Sequence, residues 1–318
     1  MKAFKIASVA TVAALALAGC GGSAAPDEGA NGLTPVSVAA IPIADTAALH
    51  LGVEQGFFED EGLDVTVESV MGGAISVPGV VSGDFDFAFS NVISMFVAQE
   101  QGLDLQFVTN GATSTGEVDA DIAAIVVLDD APYKSAADLD GLTVSSNLLS
   151  NIGDTTIRHA VDAAGGDGAS LNFIEVPVQE AMAALENKQI QAALVVEPFL
   201  TQALQTGGRA LDWNYVAVHP EMDVSGYMTS GRLVKENPEL VEKFAAAMAK
   251  SLEFSQENPD EVHRIITTYT QITPELAADI VLPRFKPDFN REAMEILGKA
   301  AAKYGILKAE PDLDTLLP

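Results

Sequence analysis

Two widely separated stretches of the chain follow one plan, and that plan restricts the fold more than any other feature. Residues 74–91, "AISVPGVVSGDFDFAFSN", read as a short helix, a polar turn at Ser82-Gly83-Asp84 and an apolar strand that ends on Ser90 and Asn91. Residues 178–198, "VQEAMAALENKQIQAALVVEP", repeat the order: a helix, a turn at Asn187-Lys188, and an apolar strand that ends on Glu197 and Pro198. A helix that drops through a tight turn into a buried strand is half of a parallel strand–helix–strand unit, and parallel strands need helices on their faces. Two copies imply two lobes of similar α/β design.

The rest of the chain extends the pattern. "PVSVAAIP" (35–42) alternates and is rich in Val and Ile, so it reads as a strand. "ADTAALHLGVEQ" follows with helical spacing, with Asp45 or Thr46 as candidate N-cap, and Gly56 and Gly62 bracket a turn before "LDVTVESV" (63–70) alternates again. This strand–helix–strand order predicts a right-handed parallel pairing. A helix over 94–101 and a strand over 104–110 complete a first lobe over 35–123. A buried strand at 121–130 opens the second, over 124–220, in which "NIGDTTIRHAVDAAGG" is a helix stopped by Gly165-Gly166 and "LNFIEVP" a strand. Over 221–318 the chain returns to the first lobe, and from Pro238 the pattern is helical, with prolines at helix starts.

The N-terminus has a different character. Lys2 and Lys5 precede a short apolar run, Ala7 to Ala18, which reads as a secretion signal over 1–19 and is too short to span a bilayer permanently. It ends in Leu17-Ala18-Gly19-Cys20, which resembles a bacterial lipobox; that resemblance implies a diacylglyceryl group on Cys20, the only cysteine of the chain. "GGSAAPDEGANGLT" (21–34) has the composition of a flexible tether, so residues 20–34 are expected to hold the folded body at the extracytoplasmic face of the cell membrane. The formal net charge of −28 excludes nucleic acid as a partner and sets the body against an anionic lipid surface. With one cysteine there is no disulfide framework despite export.

Five stretches in order, "DTAALHLGVEQGFFEDEGLDV", "SGDFDFAFSN", "ADLDGLTV", "AALENKQIQAALVVEPF" and "VKENPELVEKF", resemble substrate-binding proteins of ATP-driven (ABC) importers. The branch is the one holding nitrate, taurine, aliphatic-sulfonate and thiamine-precursor aminopyrimidine binders, and the likeness runs over about 36–310. It implies a two-lobed, type II periplasmic-binding-protein-like α/β fold with two crossing hinge strands, near 121–126 and 218–228, and a helical C-terminal tail. It further implies a small-molecule ligand in the interlobe cleft and an ABC permease as partner, with the protein acting as a monomer. The fungal pyrimidine synthases of this fold family carry a cysteine-rich iron motif that is absent here.

Ligands of such lobes bind beyond the carboxyl ends of the parallel strands, at helix N-termini. The residues at those edges are the candidate contacts: Asp45, Thr46, Gly72, Gly73, Ser90, Asn91, Ser146, Asn147, Asn151 and Glu197. Each has a plainer alternative: Asp45 and Asn151 as helix caps, the glycine pair as a tight turn, Ser90 and Asn91 as groups capped by backbone, Glu197 in a surface ion pair. Thr155, Arg158, Tyr227 and Phe285 are weaker candidates. These edges carry Asp45 and Glu197 but no Lys or Arg, which favours a nitrogen-bearing heterocycle or amide. A small anion held by helix N-termini is the alternative, and a ligand-presenting lipoprotein for a sensor receptor is another. His50, His159, His219 and His263 lie far apart without ligand spacing, and no nucleophile elbow or phosphate-cradling loop occurs, so neither a metal, a cofactor nor catalysis is expected.

Overall fold

The computed structural model describes residues 32–318; the expected signal segment, Cys20 and the expected tether up to residue 31 lie outside the described residues. The strands are β1 (Thr34–Ala40), β2 (Leu63–Ser69), β3 (Phe87–Asn91), β4 (Leu105–Thr113), β5 (Ala123–Leu128), β6 (Thr143–Ser146), β7 (Asn172–Glu175), β8 (Ala192–Val196), β9 (Gly208–Asp212) and β10 (Asp223–Ser230). The principal helices are α1 (Ala47–Glu54), α2 (Gly73–Ser82), α3 (Val92–Glu100), α4 (Ile152–Ala163), α5 (Ala181–Glu186), α6 (Phe199–Gln205), α7 (Asn214–Val218), α8 (Pro238–Glu257), α9 (Pro259–Tyr269) and α10 (Arg291–Lys303).

The strands form two five-stranded sheets, ordered β2-β1-β3-β10-β4 and β7-β6-β8-β5-β9. In the first, β1 pairs parallel with β2 and β3, while β10 runs antiparallel between β3 and β4. In the second, β6 pairs parallel with β7 and β8, while β5 runs antiparallel to β8 and β9. The antiparallel member of each sheet is the strand by which the chain arrives from the other: β5 after the first crossing, β10 after the return. This is the two-lobed fold with two crossing strands that the resemblance implies.

Local sequence accounts for the elements. In β1 and β2, Val36 and Val38 pair with Val65 and Val67, β-branched residues stacked on a pleated surface. The reversal between α1 and β2 turns on Gly56 (φ 77°) and Gly62 (φ 79°), both in the left-handed region that a side chain resists. Neither Asp45 nor Thr46 caps α1 through its side chain: the Thr46 hydroxyl donates to the carbonyls of Ile41 (2.8 Å) and Ile43 (3.0 Å), closing the loop after β1. One face of the first sheet is covered by α1 and α8, with the Phe87 and Phe244 rings stacked at 3.8 Å between centroids. The other face joins a continuous apolar core in which Phe96 of α3, Ile157 of α4 and Leu297 of α10 are all fully buried. That core runs through both lobes, so α10 ties them together behind the cleft. A third cluster packs α5 and α6 on the far side of the second sheet. No helix among the described residues is long and apolar enough to cross a membrane.

Candidate functional site

The loops that follow β1, β3, β6 and β8 meet at the junction of the two sheets, as parallel strands require. They border a small chamber lined by Ile41, Ile43, Asp45, Phe89, Asn91, Ile122, Asn147, Ile152, Val178, Leu194, Val196, Tyr215, Val224 and Ser225. Both lobes contribute: β1, β3 and β10 from one, β6, β8 and α4 from the other. Its walls are aliphatic, and its polar groups are few and convergent, the usual character of a small-molecule site.

Asp45 is the only ionisable carboxyl in that lining, and no Lys, Arg or His accompanies it. Burial raises its pKa from 3.8 to about 7, opposed by a backbone hydrogen bond and reinforced by the charges of Asp121 and Glu197. Tyr215, also in the lining, has its phenol pushed up by burial and further by Asp45 and Asp121. Asp121 sits behind the chamber on the first crossing and accepts from the Ser114 hydroxyl (2.8 Å) and the Thr115 N–H (2.9 Å). Asn91 caps α3 through Oδ1, which accepts from the Ser94 N–H at 2.9 Å, so its amide nitrogen stays free to donate. Ser225 is the register partner of Asn91, and its hydroxyl is buried without a hydrogen-bond partner in the protein. A buried hydroxyl left so costs about 1–3 kcal/mol, which a ligand acceptor or donor would recover.

The sequence-selected residues divide. Asp45, Asn91 and Asn147 line the chamber. Thr46 is spent on its own loop, and Gly72 and Gly73 form the start of α2 and do not line the chamber. The Ser90 and Ser146 hydroxyls are buried, unpaired and outside the lining. Asn151 caps α4, and its amide nitrogen donates across the cleft to the Ser94 hydroxyl at 3.1 Å, joining the two lobes. Glu197 is neither exposed nor in an ion pair. Its carboxylate accepts from the Thr201 hydroxyl (2.7 Å), the Thr201 N–H (3.1 Å) and the Val281 N–H (3.1 Å), and it does not line the chamber. Among the weaker candidates, Tyr227 and Phe285 are core residues; Thr155 bonds back to Asn151, and Arg158 lies over the Phe173 ring and bonds the Gly168 carbonyl. Tyr215 and Ser225 are lining residues that sequence reasoning does not reach; the polar alternation Asp223-Ser225-Tyr227 within an expected crossing strand is the available signal for Ser225, and Tyr215 has none.

The α4 N-terminus is already occupied. Asp154 accepts from the Ser150 and Asn151 N–H groups, both at 2.7 Å, and the Asn151 side chain takes the Ile152 N–H. Among the described residues no group of three or more His, Cys, Asp or Glu is placed to hold a metal ion.

The pattern of the NMT1/THI5-like family matches residues 43–262. The chain belongs to that family. It is 26% identical to the formylaminopyrimidine-binding protein of Halalkalibacterium halodurans over 273 residues, 84% of this chain and 79% of that protein. Among solved structures it superposes on the ligand-binding component of an ABC-type import system from Staphylococcus aureus, solved with zinc bound, at a TM-score of 0.76 and 12% identity, covering 89% of this chain and 96% of that one. The periplasmic aliphatic sulphonate-binding protein SsuA of Escherichia coli gives 0.71 at 16% identity, covering 88% and 91%. At those identities the two structures establish the periplasmic-binding-protein fold of this family member and leave the choice of ligand to the residues of the chamber.

Proposed function

We propose that this solute-binding protein of an ABC importer captures a small, nitrogen-bearing molecule, an aminopyrimidine or related heterocycle or amide that presents N–H donors. One observation carries the reading: a buried carboxyl, Asp45, faces a chamber whose lining holds no basic side chain. Such a group accepts hydrogen bonds when ionised and repels anions. The Asn91 and Asn147 amides, the Tyr215 phenol and the unpartnered Ser225 hydroxyl add fixed points for ring nitrogens and carbonyls. The formylaminopyrimidine-binding relative points the same way. A free anion is disfavoured because Asn91 already takes the Ser94 N–H of α3, Asn151 takes the Ile152 N–H of α4, and the Asp154 carboxyl stands at that same helix end. Binding is the role that the family match supports.

Closure of two lobes on one ligand follows from their sharing its contacts, and the closed form is what a permease would read. We further infer that Cys20 carries the lipid, that residues 20–34 tether one copy of the body outside the membrane, and that lobe boundaries fall near 123 and 220. Metabolic labelling with radioactive palmitate tests the anchor: label lost in Cys20→Ala supports it, and label retained refutes it. For the ligand, thermal shifts with 4-aminopyrimidines, amides, sulfonates and nitrate at about 1 mM are decisive. A ligand of about 1 µM dissociation constant adds about 4 kcal/mol, and a response confined to sulfonates or nitrate refutes the nitrogen-donor reading.

A further inference from the structure

The chamber does not end at the first ring of residues. A second, larger chamber opens from it, and the two share Ile41, Ile43, Asn147, Val178 and Val196 as a common waist. Beyond that waist the lining is almost wholly apolar, with Met71 and Ile75 from the first lobe and Leu148, Pro177 and Phe199 from the second. Only Glu175 and Gln179 at the rim are polar side chains not shared with the waist.

This outer space lies between closely approaching lobes and is partly open to solvent. The Leu148 methyl carbon Cδ1 lies 3.4 Å from the point a Cβ on Gly72 would occupy, so the two lobes already meet on that side across bare backbone. The Asn151–Ser94 bond joins them again nearby. With those contacts in place, Met71 remains 74% and Ile75 55% exposed. A single polar ring seated at Asp45 fills the inner chamber and leaves these large apolar side chains wet. Apolar surface of that kind, continuous with a ligand site, gains from an apolar group and not from water.

We infer that the ligand has two parts: a compact head bearing N–H donors that sits against Asp45, and an apolar appendage of about one aromatic ring that lies against Met71, Ile75, Leu148 and Phe199. Asn147 stands at the waist, within reach of a polar atom joining the two. This inference rests on the proposed binding of a nitrogen-bearing head in the inner chamber and adds the class of molecule that extends from it.

Calorimetric titration of the purified full chain with 4-aminopyrimidine and with 5-benzyl-4-aminopyrimidine tests it. Burial of a phenyl ring in the outer chamber should tighten binding about tenfold or more, after the cost of ordering its linking bond. In Ile75→Asp, a change at an exposed helix position, the ratio between the two compounds should fall below about threefold, because the ring would then meet a carboxylate. Comparable affinities for the two compounds in the wild-type protein, with 4-aminopyrimidine still bound, overturn the two-part ligand and leave the inner-chamber reading intact. A tenfold ratio that survives Ile75→Asp places the ring elsewhere and also overturns it. If neither compound binds, the head reading fails and the inference falls with it.

Discussion

Replacing Asp45 by Asn separates the cost of a buried acid from its use. The carboxyl has its pKa raised from 3.8 to about 7, with burial as the leading cause. The sign follows from proton counts. Between those two values the unfolded chain has released the proton and the folded chain keeps it, so stability falls as pH rises through this window. Above about pH 7 the full penalty is present; a displacement from 3.8 to about 7 corresponds to ~4 kcal/mol. At about pH 5 less than half of it has developed. The amide of the variant cannot ionise, so the ligand-free Asp45→Asn protein should gain stability over wild type as pH rises, by ~2–3 kcal/mol between pH 5 and pH 8. In a chain of this size that is about 4 °C of melting temperature. The neighbouring titratable groups, Asp121, Glu197, Tyr215, Tyr227 and Tyr269, are present in both proteins and largely cancel in the difference. Melting curves of both proteins at pH 5, 6, 7 and 8 are the assay, with ligand titrations alongside, where the variant should bind more weakly by about 1–3 kcal/mol. A gap between variant and wild type that is the same at every pH refutes the assignment of Asp45 as a buried acid. Under the proposed function, Asp45 would cost stability in the empty protein and serve when a hydrogen-bond donor arrives.

Three other perturbations have defined outcomes. Asn151→Ala removes both the α4 cap and the bond to Ser94, and should lower stability by about 1–2 kcal/mol; small-angle scattering of the ligand-free variant should report a larger radius of gyration, and an unchanged radius would mean that this bond does not hold the lobes. Glu197→Ala strips the acceptors from Thr201 and Val281 and should destabilise by about 2–4 kcal/mol in denaturant titrations; if stability is kept and ligand affinity drops instead, Glu197 belongs to the site. Gly52→Ala would put a Cβ 2.0 Å from the Ser251 hydroxyl where α1 crosses α8, so a loss of roughly 1–3 kcal/mol is expected, and wild-type melting would show that the helices separate freely.

Much of the element order is legible because it rests on local signals. The alternating valines of β1 and β2, the turn glycines at 56 and 62, and the helix–turn–strand units ending at Asn91 and Glu197 are all contained in short windows. The strand β9 has no such signal: "GRALD" offers little alternation and is held as an edge of the second sheet by β5. The helical reading of the region after Pro238 also agrees with the structure, whose strand contact there is a single bridge between Thr113 and Arg284.

The sequence by itself determined which loops gather at the cleft and that those loops carry acids and amides without cations, because strand order and loop composition are properties of neighbouring residues. It could not determine which polar side chain faces the chamber. Asp45 and Glu197 both follow apolar strands, yet one lines the cavity and the other is consumed by partners, including a backbone N–H 84 positions away. Asn91 and Asn151 both cap helices, and only Asn91, whose amide has no partner in the opposite lobe, lines the chamber. Tyr215 and Ser225 enter the lining because the return crossing brings them there. Orientation at a strand end is set by whichever distant group satisfies the side chain first, and only the assembled tertiary structure supplies those groups.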